Sequence, residues 1–203
     1  MFSQANFIIG FGSCLDQNLD QPIWTAIRKE QLDAFFFLGD NVYGDSRFFS
    51  ITKLSKAYEI QKNKLPDWLE NIEILQIWDD HDYGLNDGGK NYRHKEISQE
   101  IYLNFRGIPQ DDQRRYQDGI FFSKFVNHNG KIIQFIGLDT RYHRSNLKGF
   151  KNSYRPNTNI DATILGEQQW LWLEDQLEKE ADIRIIASSI PVSYTHLRAH
   201  ETD

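Results

Sequence analysis

The chain reads as an α/β domain, and three observations predict this. Short apolar runs recur at Phe7 to Phe11, Ala34 to Leu38, Ile72 to Ile77, Ile132 to Leu138 and Ile183 to Ala187. Each is too short for a helix, and several lack alternation, as strands buried on both faces do. Segments of helical period lie between these runs. Finally, Asn127-His128-Asn129-Gly130 joins Ile120 to Val126 with Lys131 to Leu138, and Asn-Gly favours the positive dihedrals of a tight hairpin.

In chain order, the first helical stripe is Ile23, Trp24 and Ile27, with Asp20 as the expected N-cap and Pro22 in the first turn. Ile51, Leu54 and Tyr58 make the second, Ile97, Ile101 and Phe105 the third, and Trp170, Leu173 and Leu177 the fourth, each with polar residues on its other face. The stretch from Gly84 to Gly119 is charged and carries Asp87-Gly88-Gly89 and Asp111-Asp112, so outside its helix it is expected to be a surface excursion near the mouth of a site. Residues 192–203, with His196 and His200, resemble adapter-derived sequence. The expected domain is therefore 1–191, incomplete at its C-terminus, followed by a non-native tail at 192–203.

A length of 203 residues suits one domain with a real core, and 39% apolar with 14% aromatic residues excludes a disordered chain. The net charge of -6 and the scattered Lys and Arg argue against electrostatic capture of nucleic acid. An acidic protein can still take an anionic phosphate where bound cations reverse the local potential. The single cysteine cannot form an intramolecular disulfide. No stretch approaches the ~18 apolar residues of a membrane span, and the chain as given shows no signal-peptide pattern. Compartment and oligomeric state are not legible.

In an open parallel sheet the loops after the strands line one edge, where ligands bind. Cys14, Asp40, Asp80 and Asp139 all stand at such ends. Unpaired carboxylates gathered there repel one another, and cations relieve the repulsion. Asp40 and Tyr43 with a Cys14 thiolate form a strongly anionic donor set, compatible with ferric iron. Asp80 would serve a second, divalent ion that Asp40 also reaches as a bridge, since two metals ~3.5–4 Å apart clamp phosphate and activate water. His81 is expected to protonate a departing alkoxide, or else to orient a ligand. Arg141 is the candidate grip on a phosphate oxygen, with an ion pair as its other reading.

Gly12-Ser13-Cys14, Leu38-Gly39-Asp40-Asn41-Val42-Tyr43, Trp78-Asp79-Asp80-His81-Asp82-Tyr83-Gly84, Leu138-Asp139-Thr140-Arg141 and Leu165-Gly166-Glu167-Gln168-Gln169-Trp170 occur in this order. The set resembles the motifs of the alkaline phosphatase D (PhoD-like) metallophosphatases, a branch of the calcineurin-like phosphoesterases, across residues 7 to 191. The resemblance implies a two-sheet sandwich flanked by helices and hydrolysis of phosphate mono- or diesters, on a small molecule or a lipid. It also implies Fe3+ held by Cys14 and Tyr43, Asp40 as the bridge, and Asp80 on one or more divalent ions, often Ca2+. Such homologues are often exported. The family completes its centre with a later Gly-Asp-x-His type motif that has no counterpart after Pro191. The alternative is therefore a non-catalytic phosphate- or polyanion-binding member, or an inactive fragment of the same fold. A cysteine-dependent phosphatase would need arginine where Asp20 stands, and a dinucleotide fingerprint would need glycine where Leu15 stands.

Overall fold

The structure is a computed structural model, and it describes residues 6–46, 48, 50–150 and 153–190. The 192–203 tail expected from sequence lies outside the described residues. The strands are β1 Ile9–Gly12, β2 Ala34–Leu38, β3 Glu73–Ile77, β4 Phe122–His128, β5 Lys131–Gly137, β6 Lys148–Phe150, β7 Ser153–Arg155 and β8 Ile183–Ala187. The helices are α1 Ile23–Ile27, α2 Ile51–Lys64, α3 Asp80–Tyr83, α4 Lys95–Phe105 and α5 Glu167–Glu178. None is long and apolar enough to cross a membrane.

The first sheet is wholly parallel, in the order β1-β2-β3, with Ile9 opposite Ala34 and Ala34 opposite Glu73. Its central strand, β2, is apolar throughout because both faces are covered. Phe35 and Phe37 turn to one face and pack with Trp24 and Leu69, while Phe36 turns to the other and meets Phe135 of β5 with ring centroids 6.3 Å apart. The second sheet is mixed, in the order β4-β5-β8, with β4 antiparallel and β8 parallel to β5. The predicted hairpin joins β4 to β5, with Asn129 and Gly130 at φ of 52° and 79°. One buried cluster draws on both sheets and three helices, uniting Phe36 and Ile77 with Ile133 and Phe135, Tyr58 of α2, Tyr83 of α3 and Tyr102 of α4. Burying one such aromatic side chain contributes ~1.5–3 kcal/mol.

Several helix details differ from the sequence expectation. Pro22, not Asp20, takes the N-cap position of α1 without a side-chain cap, and Ile23 is exposed. In α5 the buried stripe is Gln169, Leu173 and Gln176, while Trp170 and Leu177 face outward. The rotation has a polar cause. Gln169 bridges the backbone of Asp139, accepting from its N–H at 2.8 Å and donating to its carbonyl at 2.8 Å. Outside α4 the stretch from Gly84 to Gly119 is mostly exposed or half-buried, as expected, although Tyr92 is buried there; α4 itself buries Ser98, Gln99, Tyr102 and Leu103. The small β6–β7 hairpin was not foreseen; its residues are exposed and carry little apolar signal.

Candidate metal centre

Because β1, β2 and β3 are parallel and in register, the loops carrying Cys14, Asp40 and Asp80 leave along one edge. Backbone bonds tie the first two together: Cys14 donates its N–H to Gly39 O at 3.2 Å, and Leu15 to Asp40 O at 2.8 Å. Gly39 turns at φ 105°, and a Cβ there would stand 2.7 Å from Asp79 Cβ. That close approach brings the second and third loops into contact. Cys14 and Asp40 are themselves left-handed, at φ 59° and 50°, and such strained non-glycine residues cost ~1–3 kcal/mol each and cluster at functional sites.

Asp82 fastens the second loop to the third. Its fully buried carboxylate accepts the Asn41 N–H at 2.9 Å on one oxygen and the Asp79 N–H at 2.9 Å on the other. Burial pushes its carboxyl well above the ordinary range. Asp79 completes a capping box with Asp82 that starts α3, and Gly84 ends this single turn in the left-handed region. Gln17 clamps the backbone of Tyr43 from both sides, donating to its carbonyl at 3.2 Å and accepting its N–H at 2.8 Å.

Within this frame Asp40, Asp80 and His81 each offer one donor atom, all within 4.8 Å of one another. Cys14 Sγ lies 3.8 Å from Asp40 Oδ2. The Tyr43 ring lies against His81 with centroids 4.4 Å apart, and Cys14 is among the neighbours that raise its phenol. The four proposed ligands and His81 therefore form one contiguous group. Asp139 stands apart from it chemically, because its carboxylate is spent on the backbone N–H groups of Ile120, Arg141 and Tyr142.

The electrostatics fit a cation. Burial first, then the charges of Asp79 and Asp80, push the Asp40 carboxyl up to about 6. Its Oδ1 is buried without a hydrogen-bond partner, a state that costs a carboxylate free energy unless something positive is supplied. Burial also pushes the Tyr43 phenol up, as do Cys14 and Asp40. Asp80 differs: burial would raise it, but Arg141 and the Asp87 N–H, at 2.6 Å from Oδ2, hold it below its usual value. Asn86 donates to the same oxygen at 3.0 Å. For His81, burial favours the neutral ring, yet its bond to Asp45 and the charges of Asp80, Asp45 and Asp40 raise the imidazole overall.

Arg141 is buried, with its Nε 2.5 Å from Asp79 Oδ1 and an Nη2 4.0 Å from Asp80 Oδ1. The guanidinium thus lies in an ion pair beside the candidate ligands. Sequence reasoning missed Asp45, Gln17 and Asp82 as supports of the site. Asp82 had a signal in the Asp79-x-x-Asp82 spacing of an acidic capping box; Gln17 and Asp45 had none, because their roles exist only once distant loops meet.

A family model described as PhoD-like phosphatase matches residues 56–203. A solved structure titled "Structure of PhoD" superposes with a TM-score of 0.61 at 19% sequence identity, covering 91% of this chain. The chain spans 42% of the length of that structure. No curated protein matches the chain.

Proposed function

From the chain's membership of the PhoD-like phosphatase family, we propose that it carries the metal-binding half of a phosphoesterase centre, in a protein that hydrolyses phosphate mono- or diesters. The observation that carries this reading is the meeting of Asp40, Asp80 and His81 donor atoms within 4.8 Å, together with the unpartnered, buried Asp40 Oδ1. On this reading the two sheets and their helices form a metallophosphoesterase-type sandwich.

Cys14 and Tyr43 would hold Fe3+, Asp40 would bridge, and Asp80 would take a divalent ion such as Ca2+, the soft thiolate and the hard oxygen donors suiting different ions. When bound, such ions supply Lewis-acid polarisation of a phosphoryl oxygen and a water acidic enough to attack at neutral pH. His81 carries the proton inventory: with its imidazole favoured in the charged form by Asp45 and Asp80, it donates to the departing alkoxide. Arg141, held by Asp79, gives the anionic ligand group a fixed counter-charge and turns its remaining N–H donors to a phosphate oxygen. The acidic chain accepts its anionic substrate only with cations in place.

The test is turnover of aryl phosphate mono- and diesters by the protein supplied with iron and calcium, compared with Asp40→Asn. The reading expects ester cleavage that Asp40→Asn reduces at least ~100-fold, as loss of a shared metal ligand does. Metal-replete protein that binds phosphate but cleaves neither ester class would instead favour a phosphate-binding member of the same fold.

A further inference from the structure

One cleft among the described residues lies away from the metal centre, on the flank where the edge strand β3 of one sheet faces the edge strand β4 of the other. Its volume is about 580 Å³, within the ~300–1,000 Å³ of small-molecule sites. In a chain of net charge -6, its charged lining is cationic: Arg106, Arg114, Lys124 and Lys179 stand against Glu73 and Asp112. Most of these cations are paired. Arg114 is bonded to Asp112 at 2.8 Å, Lys124 to Glu73 at 2.7 Å, and Lys179 to Asp175 at 3.2 Å.

Arg106 differs. Among the described residues it has no ion pair; its Nη2 makes a single long contact, 3.5 Å to Ile74 O on the free edge of β3. Burial holds its guanidinium below the ordinary range, and neighbouring Arg114 pushes the same way, against the opposing influence of Tyr102 and Glu73. Gln76, which lines the same cleft, has its amide nitrogen buried without a partner. A buried cation without an ion pair and an unused amide donor in one cavity are each unfavourable alone. Both are relieved by an oxyanion, which guanidinium recognises through a planar fork of N–H groups. Phe122 and Trp172, also in the lining, supply apolar and aromatic wall.

We propose that the β3–β4 cleft is a binding site for a small organic oxyanion, a carboxylate or phosphate on an apolar or aromatic body, seated on Arg106 and Gln76. The site is independent of the phosphoesterase reading. It is tested on the full chain in the Asp40→Asn background with chelator present, so that anions held at the metal centre are not counted. Calorimetric titration with benzoate, phenyl phosphate and inorganic phosphate supplies the arms. The expected result is saturable 1:1 binding of at least one aryl anion, the tighter of the two naming the head group, weakened at least tenfold by Arg106→Gln. Gln76→Met should leave the melting temperature unchanged or raised, yet weaken the same anion several-fold; it decides the matter if Arg106→Gln does not fold. No saturable binding of either aryl anion, undiminished affinity in the folded variants, or inorganic phosphate binding as tightly as phenyl phosphate would each overturn the proposal. In the first two cases Arg106 would be no more than a cap on the edge of β3.

Discussion

His81 Nδ1 lies 2.5 Å from Asp45 Oδ1, across 36 residues of sequence. The contact leaves the other ring nitrogen as the atom available to the Asp40 and Asp80 carboxylates or to a substrate. A carboxylate behind a histidine fixes ring orientation and raises basicity. Asp45→Ala should therefore lower the titration midpoint of His81, followed by NMR on the metal-free protein, and should reduce ester turnover ~10–100-fold. An unchanged midpoint would show that Asp45 does not support the ring.

The second prediction concerns pH. Asp40 is raised from 3.8 to about 6 in the folded chain, so the native state binds more protons than the unfolded state between these values. Stability of the metal-free protein should accordingly fall as pH rises through that window. Metal binding must displace the proton, so affinity should fall about tenfold per pH unit below pH 6. Denaturant melts across pH 4 to 7, with and without divalent metal, check both signs. A metal-free protein that gains stability steadily through the window would contradict the assignment to Asp40.

Asp82 offers a structural test. Asp82→Ala leaves the N–H groups of Asn41 and Asp79 without their acceptor, at ~1–3 kcal/mol for each buried donor. A loss of about 2–5 kcal/mol in denaturation and weaker metal binding are expected together. Unchanged metal affinity at reduced stability would separate this clasp from the site.

Tyr43 gives an optical test. Phenolate bound to ferric iron absorbs visible light, so iron-loaded protein should be coloured and Tyr43→Phe colourless at equal iron content by elemental analysis. Burial raises the Tyr43 phenol, which makes the band dependent on a metal strong enough to displace the proton. Colour retained in Tyr43→Phe would take the phenol out of the ligand set.

The fold was legible wherever burial alone dictated pattern. The five apolar runs became β1, β2, β3, β5 and β8; β2 and most of β5 are apolar because both faces are covered, whereas β1 and β8 keep Phe11, Ile183 and Ile186 exposed. The Asn129-Gly130 turn was legible for a conformational reason, the positive dihedrals seen there. Legibility failed where polar groups decide packing. The stripe of α5 is rotated because Gln169 is spent on the Asp139 backbone, and no periodicity in apolar residues records that. At the site, Cys14, Asp40, Tyr43, Asp80 and His81 were visible as side chains of the right chemistry after strands. Asp45 and Gln17 were not, since an ordinary acid and amide acquire meaning only from the loops that come to face them.

The most direct measurement is metal stoichiometry and affinity. After exposure to iron and calcium and removal of loosely held ions, metal per chain is determined by elemental analysis for the unaltered protein and for folded Asp40→Asn and Asp80→Asn. Tight metal in the unaltered protein, reduced by Asp80→Asn and largely lost in Asp40→Asn, is the predicted result. Absence of tight metal from the unaltered chain, or equal retention by both variants, would contradict a shared cation centre at the ends of β1, β2 and β3.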